Sequence, residues 1–190
     1  MGLLTSGNKG DPLKKRKNDC YETPECATVA LLQCETIPHK IIEPACGPGA
    51  IVNVLRKAGH SVIAHDLVDY GCPDSKHGID FLMEYVPQDA DMMITNPPFK
   101  NGADFVRKGL ALYPKVAILQ RLAFLEGESR SDIIDGGHLA RVHVFRNRLP
   151  MMHRYGWEGP SLDKNMAAYA WFIWDRDYSG PTVIDRISWV

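Results

Sequence analysis

Paired cysteines are missing from this 190-residue chain. Its cysteines, Cys20, Cys26, Cys34, Cys46 and Cys72, are odd in number and form no Cys-x-x-Cys pair, which argues against a disulfide framework and against a zinc knuckle. Long apolar runs are missing too. No stretch approaches the roughly 18 residues of a membrane span, and no apolar segment follows the basic residues near the N-terminus, as a secretory signal requires. These absences predict reduced thiols, no metal, no membrane contact and a cytoplasmic location. Net charge is nearly absent at −1, so charge alone announces no nucleic-acid partner.

What is present suits one folded domain after a short arm. Hydrophobic residues make up 45% and charged residues 24%, an ordinary balance for a globular chain able to bury a sizeable core. Residues 1–17 mix Gly, Ser, Asn and Lys without apolar periodicity and read as a flexible basic arm. Its run Lys14-Lys15-Arg16-Lys17 is either a solvated tail or a contact for phosphates. Residues 18–190 are expected to form the single domain.

Order is expected from Asp19 onward, with Thr23 capping a helix, Pro24 at its first position, Glu25 in its first turn and its end near Cys34. The run Lys40-Ile41-Ile42-Glu43-Pro44-Ala45-Cys46-Gly47-Pro48-Gly49 reads as a buried parallel strand entering a tight glycine turn, followed by a helix over Ala50 to Ala58. Gly47 and Gly49 let the backbone approach a ligand closely, but Val52 stands where a dinucleotide fingerprint needs its third glycine. A dinucleotide is therefore disfavoured, and no hydride-transfer Tyr-Lys or His constellation is evident. The next strand, Ser61 to Asp66, ends in an acid 17 positions after Gly49, near the spacing at which such folds set a carboxylate against ribose hydroxyls. His65 reads as a strand-end neighbour rather than a ligand.

A third apolar run, Asp91 to Thr95, stops at Asn96-Pro97-Pro98-Phe99. Two prolines cannot donate to a ladder and their φ is fixed, so the loop is stiff. An Asn side chain, prolyl carbonyls and an aromatic ring at the C-terminal end of a strand make a small polar cup beside a flat apolar wall, suited to a planar amine. A helix from Asn101 to Leu112 and a buried strand from Lys115 to Gln120 follow, extending a βα rhythm through five strands. Glu128 to Ile134 is expected to form a short helix. Beyond Gly136-Gly137, Arg141 to Phe145 and Ala167 to Trp174 read as two strands forming a hairpin at the sheet edge. The irregular link Arg148 to Lys164 reads as a substrate-side lip, and Arg146, Arg148, His153 and Arg154 are expected to face nucleic acid.

Four ordered motifs carry a family resemblance. Tyr21-Glu22-Thr23-Pro24, Glu43-Pro44-Ala45-Cys46-Gly47-Pro48-Gly49, Asp80-Phe81 and Asn96-Pro97-Pro98-Phe99 together resemble the gamma-type S-adenosylmethionine-dependent DNA amino-methyltransferases. The resemblance implies a Rossmann-like, doubly wound, mostly parallel α/β sheet with a C-terminal antiparallel hairpin, the class I methyltransferase fold. It implies S-adenosyl-L-methionine as cofactor, held by Tyr21, Thr23, Glu43, Pro44, Ala45, Gly47, Gly49, Asp66, Leu67, Asp80, Phe81 and Asn96. Asp80 would take the cofactor's exocyclic amine while Phe81 packs on its adenine. Asn96, Pro97, Pro98 and Phe99 would form the catalytic loop, with Phe99 stacking on the acceptor base. Adenine N6 in DNA is the first choice of acceptor; RNA bases, protein glutamine amides or a non-catalytic cofactor-binding role are the alternatives. Only 16 residues follow Trp174, so the expected form lacks a separate target-recognition domain.

Overall fold

Near-continuous apolar runs along short strands set up two buried faces, and the chain covers both. The computed structural model describes residues 21–83, 85–150 and 167–190. The expected arm 1–17, together with His153 and Arg154, lies outside the described residues. Helix α1 spans Glu25–Cys34, strand β1 Lys40–Glu43, helix α2 Ala50–Lys57, strand β2 Ser61–Ala64 and strand β3 Met92–Thr95. A 3-10 turn at Phe99–Asn101 leads into α3, Gly102–Leu112. Strand β4, Lys115–Arg121, is followed by α4, Ser131–Ile134, and by β5, Leu139–Phe145, β6, Tyr169–Asp175, and β7, Val183–Ile187.

The strands form one seven-stranded sheet in the order β2-β1-β3-β4-β6-β5-β7. Strands β1, β2, β3 and β4 are mutually parallel, β6 runs antiparallel to both β4 and β5, and β7 lies parallel to β5. Successive side chains in a strand point to opposite faces. Ile41, Met92, Ile94, Ala117, Leu119, Trp171 and Ile173 therefore pack with Leu31, Ile51, Val52 and Leu55 of α1 and α2, while Ile42, Met93, Val116, Ile118, Phe172 and Trp174 pack with Phe105, Val106 and Ile133 on the other side. The result is three layers, with helices on both faces of a doubly wound sheet.

Polar groups pin these layers in register. Trp171 Nε1 donates to the Ala27 carbonyl at 2.8 Å and Trp174 Nε1 to the Ile133 carbonyl at 2.7 Å, so each indole buries its ring and satisfies its one donor. At the end of α1, Glu35 accepts from His143 Nε2 at 2.7 Å and from both Nε and Nη2 of Arg141. Burial raises the Glu35 pKa, but these hydrogen bonds outweigh it and hold the carboxyl below its ordinary value.

Four sequence expectations need correction. Thr23 makes no cap, because its hydroxyl is engaged elsewhere, and Pro24 occupies the cap position itself. The parallel βα rhythm runs through four strands rather than five: between β2 and β3 the chain forms turns and an isolated His65–Lys76 bridge. The hairpin of β5 and β6 pairs as expected but is not the edge, since β6 is inserted beside β4 and β7 closes that side. Strand β7 went unread because all but the last of its residues are exposed; backbone pairing with β5 rather than a buried face makes it a strand.

Candidate functional site

The C-terminal ends of β1, β2 and β3 border a cavity of about 360 Å³. In a parallel sheet the crevice forms at this end, where neighbouring connections leave on opposite faces. Of the residues expected from sequence to bind cofactor or acceptor, Tyr21, Thr23, Glu43, Pro44, Ala45, Gly47, Asp66, Leu67, Asp80, Phe81, Asn96 and Pro98 all line it. Pro97, Phe99 and Gly49 do not, and Arg146 and Arg148 are exposed residues beyond β5.

The floor is the turn between β1 and α2. Gly47 has φ 52° and Gly49 φ 93°, a left-handed region that a side chain disfavours. The Gly47 amide donates to Asp66 Oδ2 at 2.8 Å, and Val68 donates to Oδ1 at 2.9 Å. Asp66 thus ties the end of β2 to the glycine turn besides facing the cavity. Burial pushes its carboxyl above the ordinary value despite those two amides. Glu43 is 2% exposed, its Oε2 is buried without a partner among the described residues, and its pKa is raised well above normal, first by burial and then by the nearby Asp66. A buried carboxyl oxygen with no donor is costly unless something cationic or protic meets it.

The wall over the turn is built from the segment after β2. Asp80 Oδ1 accepts from the Leu82 amide at 2.9 Å, closing an Asx turn. Phe81 is 2% exposed and packs edge-on against Tyr85 at 4.8 Å and tilted against Phe105 at 5.0 Å. Both residues face the cavity and both have a structural role there. His65 is buried at the end of β2 with Nδ1 3.3 Å from the Tyr85 hydroxyl, and burial, aided by Lys76, lowers its pKa.

The loop Asn96 to Phe99 leaves β3 at the far side of the cavity. Asn96 Nδ2 donates to the Tyr21 carbonyl at 3.2 Å and to Thr23 Oγ1 at 3.0 Å. A carbonyl can only accept, so the amide nitrogen must face Tyr21 and the oxygen must face away. That oxygen, Oδ1, is buried and has no hydrogen-bond partner among the described residues. Phe99 stands just outside the cavity lining, ringed by Tyr21 at 5.8 Å and Tyr169 at 6.0 Å, with the Arg121 guanidinium 4.9 Å above its centroid.

Among the residues that sequence reasoning missed here, three had a readable signal. Asn101 and Phe105, one helical turn apart at the start of α3, line the cavity; the i,i+4 spacing directly after the proline loop was the available signal. Arg121 ends β4 beside that loop, and the rule that sites gather at the carboxyl ends of parallel strands would have singled it out. Among the described residues no helix is long and apolar enough to cross a membrane, and no group of three His, Cys, Asp or Glu residues could hold a metal ion.

No protein-family model matches the sequence, and no curated protein matches it. Solved structures do match. A proposed RNA methyltransferase from Pyrococcus horikoshii is 16% identical with a TM-score of 0.59, over 90% of this chain and 92% of that one. The M protein of the type I restriction enzyme EcoKI is 14% identical with a TM-score of 0.58, over 90% of this chain and 49% of that one. An S-adenosylmethionine-dependent O-methyltransferase from Thermotoga maritima is 12% identical with a TM-score of 0.51, over 83% of this chain and 66% of that one. The chain thus spans nearly all of the first, about half of the second and two thirds of the third. It has the Rossmann-like fold shared by these class I methyltransferases, with the described cavity at the carboxyl ends of its parallel strands.

Proposed function

We propose that the protein transfers a methyl group from S-adenosylmethionine to an exocyclic amine, with adenine N6 in DNA as the acceptor. The observation that carries this reading is Asn96 Oδ1, a buried acceptor without a donor among the described residues, held in place by an amide nitrogen whose own bonds are satisfied. A module that only binds the cofactor has no use for such a group.

The cavity residues suit the cofactor. Glu43 Oε2, buried and unpartnered, fits a cationic amino group; Asp66 stands at the end of β2 for ribose hydroxyls; Asp80 keeps one carboxyl oxygen beyond its Asx turn for an exocyclic amine. Gly47 lines the cavity with bare backbone at positive φ, a conformation that a side chain disfavours. Held by these residues, S-adenosylmethionine would supply an electrophilic methyl group: its carbon–sulfur bond would break with the electron pair staying on a neutral thioether, and the amine would release one proton to solvent as it takes the methyl.

The chain's own part is positioning. Asn96 Oδ1 accepts one amine hydrogen and the carbonyl of Pro97, a residue outside the cavity lining, accepts the other as the amine enters beside the loop, which draws the nitrogen lone pair out of conjugation with the ring and aims it at the cofactor. Proline's fixed φ keeps those acceptors still, so little reorganisation is needed as charge develops on the nitrogen. Orientation of this kind can supply about 7 to 11 kcal/mol. A base in duplex DNA must first swing out, at a cost of a few kcal/mol that stacking and edge hydrogen bonds offset.

The test is transfer of labelled methyl to duplex DNA, single-stranded DNA, RNA and protein, with product analysis to name the acceptor. DNA carrying N6-methyladenine is the expected product. Protein that binds the cofactor yet methylates none of the four defeats the reading, and label found only in RNA or in glutamine replaces the acceptor.

A further inference from the structure

The family resemblance implies that Phe99 stacks on the acceptor base, yet a cation already lies over that ring. Arg121 Cζ is 4.9 Å from the Phe99 centroid, while Tyr21 and Tyr169 pack around the same ring. Arg121 is exposed and makes no ion pair among the described residues. It is the last residue of β4, in register with Tyr169 and beside the loop that leaves β3.

We propose that Arg121 caps Phe99 while the cup is empty and, when an acceptor base takes its place on the ring, turns outward to hold the backbone phosphate of that nucleotide. This inference rests on the nucleic-acid acceptor of the proposed function. A guanidinium over a phenyl ring in water is a weak contact, and an overlapping base makes a stronger one, so the exchange runs toward the bound state. The displaced guanidinium is planar and forked, the geometry that pairs with two phosphate oxygens.

Its surroundings continue the same chemistry. Strands β4 and β5 run in the same direction with β6 between them, so Arg146 and Arg148, just past the end of β5, stand on the same rim of the sheet as Arg121. Two strand spacings separate them, about 10 Å. All three are exposed. Arg121 is the end of this row nearest Asn96, and so the arginine suited to the target nucleotide rather than to its neighbours.

The test measures binding of a fluorescent adenine-containing oligonucleotide across a salt series, with cofactor affinity measured by calorimetry alongside. Arg121→Gln is expected to flatten the log-log salt slope by about 0.7 to 0.9, one phosphate contact, with cofactor affinity unchanged. Arg121→Lys should restore the slope. Arg176→Gln removes an exposed charge beyond the opposite end of the sheet, where its amide donates to the Pro114 carbonyl, and should leave the slope alone. An unchanged slope in Arg121→Gln, or an equal loss in Arg176→Gln, overturns the role given to Arg121 while leaving methyl transfer intact. A parent protein that binds cofactor but no oligonucleotide overturns the acceptor class itself, and this role with it.

Discussion

Gly49 is the position where one added methyl group tests the architecture of the site. It sits before α2 with φ 93° and ψ 21°, and a Cβ built there lies 2.7 Å from Cys72 Sγ, 3.4 Å from Cys72 Cβ and 3.7 Å from Asn53 Nδ2. Gly49→Ala should therefore cost on two counts. The left-handed backbone costs a non-glycine residue about 1 to 2 kcal/mol, and the contact with a sulfur that is itself buried adds about 1 to 2 kcal/mol of overpacking. Cys72→Ala removes the sulfur and leaves only the ordinary 3.4 Å contact. In that background Gly49→Ala should cost the backbone part alone. Urea unfolding followed by circular dichroism reads the difference: at a slope near 2 kcal/mol/M, the single variant should lose roughly 1 to 2 M in midpoint and the same change in the Cys72→Ala background about half of that. The cycle should show a coupling of about 1 to 2 kcal/mol. If Gly49→Ala cost the same in both backgrounds within about 0.5 kcal/mol, the close approach of turn and sulfur would be refuted.

Other residues give separate readouts. Asn96→Ala should lower single-turnover methyl transfer by on the order of 100-fold or more while cofactor affinity holds, and should cost about 1 to 3 kcal/mol in stability through its two lost hydrogen bonds to Tyr21 and Thr23; transfer at the parent rate would remove Asn96 from the mechanism. Glu43 has its folded pKa raised by burial and by Asp66, so the parent should lose stability as pH rises from the ordinary value near 4.5 toward the raised one. Glu43→Gln carries no such charge, and its unfolding midpoint relative to the parent should climb through that window and stay level below it; parallel pH profiles would contradict the assignment. Glu35 has the opposite sign, since its carboxyl is held below normal by His143 and Arg141 against the effect of burial. Its contribution is present above about pH 4.5 and lost as pH falls through the lowered value, so the deficit of Glu35→Gln should be largest near neutrality and shrink in acid.

The site was more legible in the sequence than the sheet's far side. Strands β1, β3 and β4 are buried on both faces and stand out as apolar runs, and the turn after β1 and the loop after β3 each carry residues whose backbone constraints are local: positive φ at Gly47 and Gly49, fixed φ at Pro97 and Pro98. Local constraints are readable one residue at a time. The anchoring of Asn96 by Tyr21 and Thr23 was not readable, because those partners lie more than 70 positions away and Thr23 has the composition of a helix cap. Nor was the Arg121 contact, which exists only because two neighbouring parallel strands end side by side. Strand β7 offered no buried face to betray it, and the insertion of β6 between β4 and β5 is a matter of pairing that periodicity cannot rank.

That insertion has a consequence for how the molecule is made. Among the described residues strand β5 has no neighbours except β6 and β7, both later in the chain. While the chain emerges from the ribosome, β5 is complete before either partner exists, and the buried side chains of β4, Ile118 and Leu119 among them, border an open edge. Such an edge is a template for wrong pairing, and closing it requires contacts distant in sequence, which form slowly. Tyr169, one of the rings around Phe99, and Trp171, the tether to α1, both reside on the strand that closes it. The side of the cavity next to Phe99 is therefore completed only after synthesis has passed Asp175, and a half-made chain would be prone to aggregate before the cavity had formed.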